Sequence, residues 1–152
     1  MSKALIEKYL NSVNEFLTIA KSFPGPDLGK APKQGGWSGA FVAHHMADSE
    51  TFFSTRYFFA LTEEKPTIST FDEEIFPSRL QYAQRNVEVS LDAVKSISSL
   101  ISNVLSNIPD GDWNRISIHP DAGEMTISMI LEKVSSHYQA HIGQLKEIKA
   151  AL

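Results

Sequence analysis

Not one of the 152 residues is a cysteine. That absence removes disulfides, thiolate metal ligands and a cysteine nucleophile together, and it fits a reducing compartment. No stretch approaches the roughly 18 uninterrupted apolar residues that a membrane-spanning helix requires. Residues 1–8 carry charges from Lys3 onward and lack the apolar core of a signal peptide. The expectation is a soluble, cytoplasmic protein with no membrane partner. An excess of positive charge is also missing. Fourteen Lys and Arg stand against 18 Asp and Glu, for a net charge of −4. Because the cations are scattered, the electrostatic footprint of a nucleic-acid binder is absent. Gly25-Pro26 and Gly35-Gly36 are turn punctuation, since neither pair sits between a strand and a helix as a phosphate-cradling loop would. No internal repeat or interdomain linker interrupts the chain, and its length fits one domain spanning 1–152.

What is present is helical periodicity. The first helix is expected over residues 3–21, with Ile6, Leu10, Val13, Phe16, Leu17 and Ala20 on one side, and Phe23-Pro24-Gly25-Pro26 stopping it. Ser38 reads as the N-cap of a second helix over residues 38–63. A third is expected to begin near Pro77, with the stripe Leu80, Ala83, Val87, Leu91, Val94, Ile97, Ile101, Val104 and Ile108, ended by Pro109-Asp110-Gly111-Asp112. A short extended piece at residues 115–118 precedes a fourth helix over residues 126–151. Four amphipathic helices read as an all-α four-helix bundle, a fold that commonly builds metal sites from inward side chains on facing helices.

Two histidines stand out on the last helix. Its apolar stripe runs Ile130, Val134, His137, His141, Leu145, Ile148, so two imidazoles four residues apart stack on a core-facing surface. A buried imidazole nitrogen needs a partner, and a small cation shared by both would supply one. The source of a third ligand is the second helix. At roughly 100° per residue, Phe41, His45, Asp48, Phe52, Arg56 and Phe59 share a face, whereas His44 is turned about 100° away. His45 is thus the natural third ligand and His44 the less favoured one. Three neutral imidazoles suit Zn²⁺ or Ni²⁺ and leave a position open for water or substrate. Tyr138 follows His137 where the zincin proteases carry glutamate, so that general base is missing. Asp48, one turn beyond His45, is the candidate base or orienting carboxylate, or an ion-pair partner of Arg56. Arg56 could also hold an anionic substrate group. The plain alternative is a set of hydrogen-bonded core histidines.

These residues recur in an order that carries a resemblance. Trp37-Ser38, the block His44-His45-Met46-Ala47-Asp48-Ser49, Arg56, Ala60-Leu61-Thr62-Glu63-Glu64-Lys65-Pro66, Phe71-Asp72-Glu73-Glu74, His119-Pro120 with Gly123, and His137-x-x-x-His141 together resemble the DinB superfamily, and its YfiT-like branch in particular. The resemblance implies a four-helix bundle with a zinc or nickel ion held by His45, His137 and His141. It further implies metal-dependent hydrolysis, or transfer of a low-molecular-weight thiol such as bacillithiol or mycothiol, on a small-molecule substrate, in a homodimer. Close relatives often place Trp before the first histidine of the last pair and Gly, Arg and His between the two, where this chain has Ser136, Tyr138, Gln139 and Ala140.

The remaining signals read as follows. His119 is expected at a loop or rim, Trp37 as packing near its helix start, and Trp113 as a cap on the bundle end. The cluster Phe52, Phe53, Tyr57, Phe58 and Phe59 is expected in the core, with part of it covering a dimer interface. Asp72-Glu73-Glu74 reads as solvated charge or as a lip of the pocket mouth.

Overall fold

The computed structural model describes residues 2–152. Four long helices dominate: α1 (Ser2–Lys21), α2 (Gly39–Thr62), α4 (Val87–Ser106) and α5 (Ile127–Ala150), with a single helical turn α3 (Phe76–Arg79) between α2 and α4. Each long helix after the first opens on a capping side chain, as an orphaned first-turn N–H requires. Ser38 Oγ accepts from Phe41 N, Asn86 Oδ1 from Glu88 N, and Thr126 Oγ1 from Met129 N. The carbonyls at the end of α2 are met by Arg115, whose Nε and Nη2 donate to Ala60 O and Glu63 O at 2.6 and 2.8 Å.

The packing order is not that of a simple up-and-down bundle. α1 packs against α4 and α5, and α2 packs against the same two helices. Helices consecutive in the chain, α1 with α2 and α4 with α5, therefore occupy opposite corners, and the segments joining them cross the bundle ends. The first crossing segment buries Leu28 against the start of α2, where a Cβ on Gly39 would lie 2.6 Å from Leu28 Cδ1. Only glycine admits that approach without displacing Leu28. The core between the helices is apolar and continuous, from Val13, Phe16 and Leu17 through Val42, Val94 and Ile101 to Ile130, Val134 and Leu145.

The second crossing segment contains a hairpin. β1 (Ile116–His119) pairs antiparallel with β2 (Gly123–Thr126), turning at Gly123, whose φ is +74°. The extended piece expected at residues 115–118 is β1, and its partner strand carried no sequence signal of its own. Ile118 also bonds the chain after α2: Ile68 N donates to Ile118 O at 2.9 Å and Ile118 N to Pro66 O at 2.8 Å. These bonds lay the segment from Pro66 to Phe76 across the seam between α2 and α5.

The third helix begins later than the periodicity suggests. α3 closes after Arg79, Gln81 takes a left-handed φ of +54°, a short 3-10 turn covers Tyr82–Gln84, and α4 starts at Val87. Leu80 consequently points to solvent while Tyr82 is buried. The cause is tertiary. Tyr82 and Arg85 both reach back to Asp48 on α2, and Asn86 starts a fresh helix. Trp113 packs into the end of the core, as a bundle cap would. Of the aromatic cluster, Phe53 and Tyr57 are buried, while Phe58 and Phe59 remain exposed. No helix among the described residues is long and apolar enough to cross a membrane.

Candidate metal centre

Because α2 and α5 are neighbours, His45 faces the pair His137 and His141, and the three imidazoles converge through Nε2. His137 Nε2 lies 3.1 Å from His45 Nε2 and 2.9 Å from His141 Nε2. Ring centroids are 4.5–5.1 Å apart. His45 is fully buried, and the other two are half-buried. Among the described residues these three form the one group of histidine and acidic side chains close enough to share a cation.

Hydrogen bonding alone does not satisfy this arrangement. An imidazole nitrogen offers one in-plane site, either a proton or a lone pair. His137 Nε2 is within hydrogen-bond range of two other ring nitrogens and can serve one of them. His141 Nδ1 lies 2.7 Å from Gln144 Oε1, which accepts its proton and leaves a lone pair on His141 Nε2. A cation at the centre would accept all three lone pairs together. Nitrogens bound tetrahedrally at about 2.0–2.1 Å are separated by about 3.3 Å, a few tenths of an ångström from the spacing seen here. The residues present could hold a divalent cation.

Electrostatics favour the same state. Burial lowers the pKa of His45 to about 4, assisted by repulsion from His141. Burial also lowers that of His137 to about 3, assisted by His141, His45 and Lys133. Burial lowers His141 as well, opposed by its bond to Gln144 and by Glu73. Burial thus favours the neutral form of all three, the form in which histidine is a ligand. Trp37 packs edge-on to His45 at 5.4 Å, and Phe53 tilts against His137 at 6.3 Å, which restricts both rings.

The other sequence candidates fall into place around this centre. His44 points to the α4 side, 2.8 Å from Ser90 Oγ and beside Tyr82. Burial lowers its pKa to about 4, aided by Arg85. Asp48 is taken up by a different partner set from the one expected. Arg85 Nη1 donates to its two oxygens at 2.9 and 2.8 Å, and Tyr82 Oη donates at 2.7 Å. Asp48 lies roughly 60° around the helix from His45, which is enough to turn it toward α4. Arg56 does not pair with Asp48. It donates through Nη2 to Ser69 O at 2.8 Å and lies over the Phe53 ring at 4.5 Å. Glu73, read as solvated charge or as a lip, stands at the mouth, with Oε2 3.7 Å from His45 Nε2. It borders two cavities, one of about 510 Å³ beside His137 and one of about 450 Å³ beside His141. His119 and Lys133 line the first of these.

One polar cluster escaped the sequence reading. Glu50, 1% exposed, accepts from Tyr9 Oη at 2.9 Å on both oxygens and from Tyr138 Oη at 2.7 Å. Burial raises its pKa to about 7 against the opposing pull of Tyr138 and Tyr9. Tyr9 shares the buried face of α1, but no local spacing links it to residue 50. Lys133 carried no signal as a site residue, and Phe71 stood only within the motif Phe71-Asp72-Glu73-Glu74; the turn of α5 and the path of a loop bring them there.

Comparison with known proteins agrees with this architecture. A Bacillus mycoides (strain KBAB4) protein named "Putative metal-dependent hydrolase" is 27% identical over 97% of this chain and 88% of its own length. An Oceanobacillus iheyensis protein of the same name is 23% identical over the same shares. Among solved structures, YfiT from Bacillus subtilis, described as a probable metal-dependent hydrolase with an unusual four-helix bundle topology, superposes with a TM-score of 0.86. It is 23% identical, over 97% of this chain and 85% of that one. A mycothiol-dependent maleylpyruvate isomerase superposes with a TM-score of 0.78 at 11% identity, over 95% of this chain and 60% of that one. The profile of the DinB superfamily matches residues 10–145, and the chain belongs to that superfamily.

Proposed function

We propose that the protein is a metal-dependent enzyme in which His45, His137 and His141 hold one divalent cation, Zn²⁺ or Ni²⁺, and that it acts on a small electrophilic molecule. The observation that carries this reading is His137 Nε2, set within 3.1 Å of two further ring nitrogens, a geometry that one proton cannot satisfy. Such a cation would supply Lewis acidity and lower the pKa of a bound water or low-molecular-weight thiol toward neutrality. The chain has no thiol of its own, so a thiol reaction draws that group from solution. Hydrolysis and thiol transfer share the same requirements: an electrophile admitted beside His137, and a base to take the proton.

Within this reading the proton acceptor is Glu73, whose carboxylate is 60% exposed and 3.7 Å from His45 Nε2. It can exchange its proton with solvent between turnovers. Asp48 keeps the weaker role of fixing α2 against the segment before α4, since Arg85 and Tyr82 occupy its oxygens. Gln144 holds the His141 ring in the tautomer that presents Nε2 inward. The same proposal includes a cytoplasmic homodimer, for which the exposed Phe58 and Phe59 of α2 offer an apolar contact.

Elemental analysis of untagged protein tests the centre. Wild type is expected to carry about one zinc or nickel per chain, and His45→Ala and His141→Ala to lose it while keeping their helical spectrum. No metal in wild type after reconstitution with both ions would refute the reading. Turnover is then sought with chlorodinitrobenzene and small thiols, with and without the ion.

A further inference from the structure

Arg56 is only 4% exposed, and no carboxylate lies within ion-pair distance of it among the described residues. Its Nε is buried with no acceptor, and its one protein acceptor is the Ser69 carbonyl, reached by Nη2 at 2.8 Å. Burying a guanidinium without a counter-charge is costly, and aromatic faces offset only part of that cost. The Phe53 and Phe71 rings supply those faces, at 4.5 and 6.0 Å from the guanidinium carbon. The same Arg56 lines the cavity of about 510 Å³ that reaches His137.

Two further donors border that cavity. His119 Nδ1 accepts from Asp121 N and Ala122 N at 3.1 and 3.2 Å, so its proton resides on Nε2, where it can be donated to a ligand. Lys133 lines the wall from α5 and forms no ion pair among the described residues. The two carboxylates of the lining, Glu73 and Asp121, are exposed at the mouth and do not reach Arg56.

We propose that this cavity binds a small molecule bearing a carboxylate, held by Arg56 with His119 and Lys133, whose remaining body lies against Phe53 and Phe71 beside His137. This proposal names a ligand class for the centre described above and rests on that reading for its catalytic meaning. The binding site itself needs no metal. The carboxylate belongs to the electrophile or to the thiol, and calorimetric titration distinguishes the two.

The test is calorimetric titration of metal-free protein with benzoate and with benzamide, its uncharged counterpart, then with 3-mercaptopropionate and with 2-mercaptoethanol. Charge-assisted hydrogen bonding to a buried guanidinium predicts a preference of roughly tenfold or more for a carboxylate over its neutral mate. That preference should vanish in Arg56→Met and fall partly in Arg56→Lys and Lys133→Gln. A preference for benzoate assigns the carboxylate to the electrophile, and one confined to 3-mercaptopropionate assigns it to the thiol. Arg56→Met should still bind one metal per chain, and His45→Ala should still prefer the carboxylate, so failure of the metal centre and failure of this site give different results. Equal binding within both pairs, or an undiminished preference in Arg56→Met, overturns the proposal. Should Arg56→Met fail to fold, an unchanged preference in both Arg56→Lys and Lys133→Gln does so.

Discussion

Glu50 should make the folded chain lose stability as pH rises, the opposite of ordinary acid denaturation, and Glu50→Gln should remove that loss. Unfolded, the carboxyl ionises near 4.5, and folded, it ionises near 7, because burial outweighs the two tyrosine donors. Between those values the folded chain keeps a proton that the unfolded chain has released. The Glu50 contribution is therefore fully present below pH 4.5 and is lost as pH rises through 7. At 1.36 kcal/mol per pH unit, the interval amounts to about 3 kcal/mol. Glutamine cannot titrate, yet it retains a carbonyl to accept from Tyr138 and Tyr9. Urea unfolding of metal-free wild type and Glu50→Gln, repeated from pH 4.5 to pH 8, isolates the effect. The buried histidines titrate in both proteins and cancel in the difference. Relative to the variant, wild type should lose about 3 kcal/mol across this interval. A difference constant to within about 0.5 kcal/mol would refute the reasoning, and would mean that the tyrosine hydroxyls compensate the burial of the charge completely.

Three other perturbations separate the roles assigned around the centre. Gln144→Leu removes the acceptor that fixes the His141 tautomer, so metal affinity should fall roughly 10–100-fold, read by competition with a chromogenic chelator. An unchanged affinity would show that ring packing alone sets the tautomer. Glu73→Gln should retain about one metal per chain and lower turnover roughly 10²–10⁴-fold if this carboxylate takes the proton. Full activity, measured on the first substrate found, would move the base elsewhere. Asp48→Ala strands the Arg85 guanidinium and the Tyr82 hydroxyl, for a loss of about 2 kcal/mol in urea unfolding with metal content preserved. Loss of the metal in a stably folded Asp48→Ala would instead place Asp48 in the centre itself.

The fold was legible wherever a local signal has a local cause. Ser38, expected as an N-cap, accepts from Phe41 N, and the stripes of α1 and α5 face the core because amphipathic periodicity leaves little choice. The start of the third helix misled, because the bonds from Tyr82 and Arg85 to Asp48 cross 34 and 37 residues, and no propensity registers them. The same contacts explain why Asp48 meets neither His45 nor Arg56. Of the residues near the centre, helix spacing could nominate only those on a regular helix face. Arg56 qualified, whereas Glu73 and Phe71 depend on a loop pinned by Ile118, and Glu50 depends on tyrosines from two other helices.

By itself the sequence determined which side chains could bind a cation. Helical spacing put His137 and His141 on one face and turned His45, rather than His44, toward the same axis as Phe52 and Arg56. Only the tertiary structure decided that these stripes meet. Convergence requires α2 and α5 to be neighbours, and in this bundle they are neighbours because the connecting segments cross its ends and put consecutive helices on opposite corners. That order goes with packing between residues far apart in the chain, α1 against α5 and α2 against α4, which carries no period a linear reading could detect.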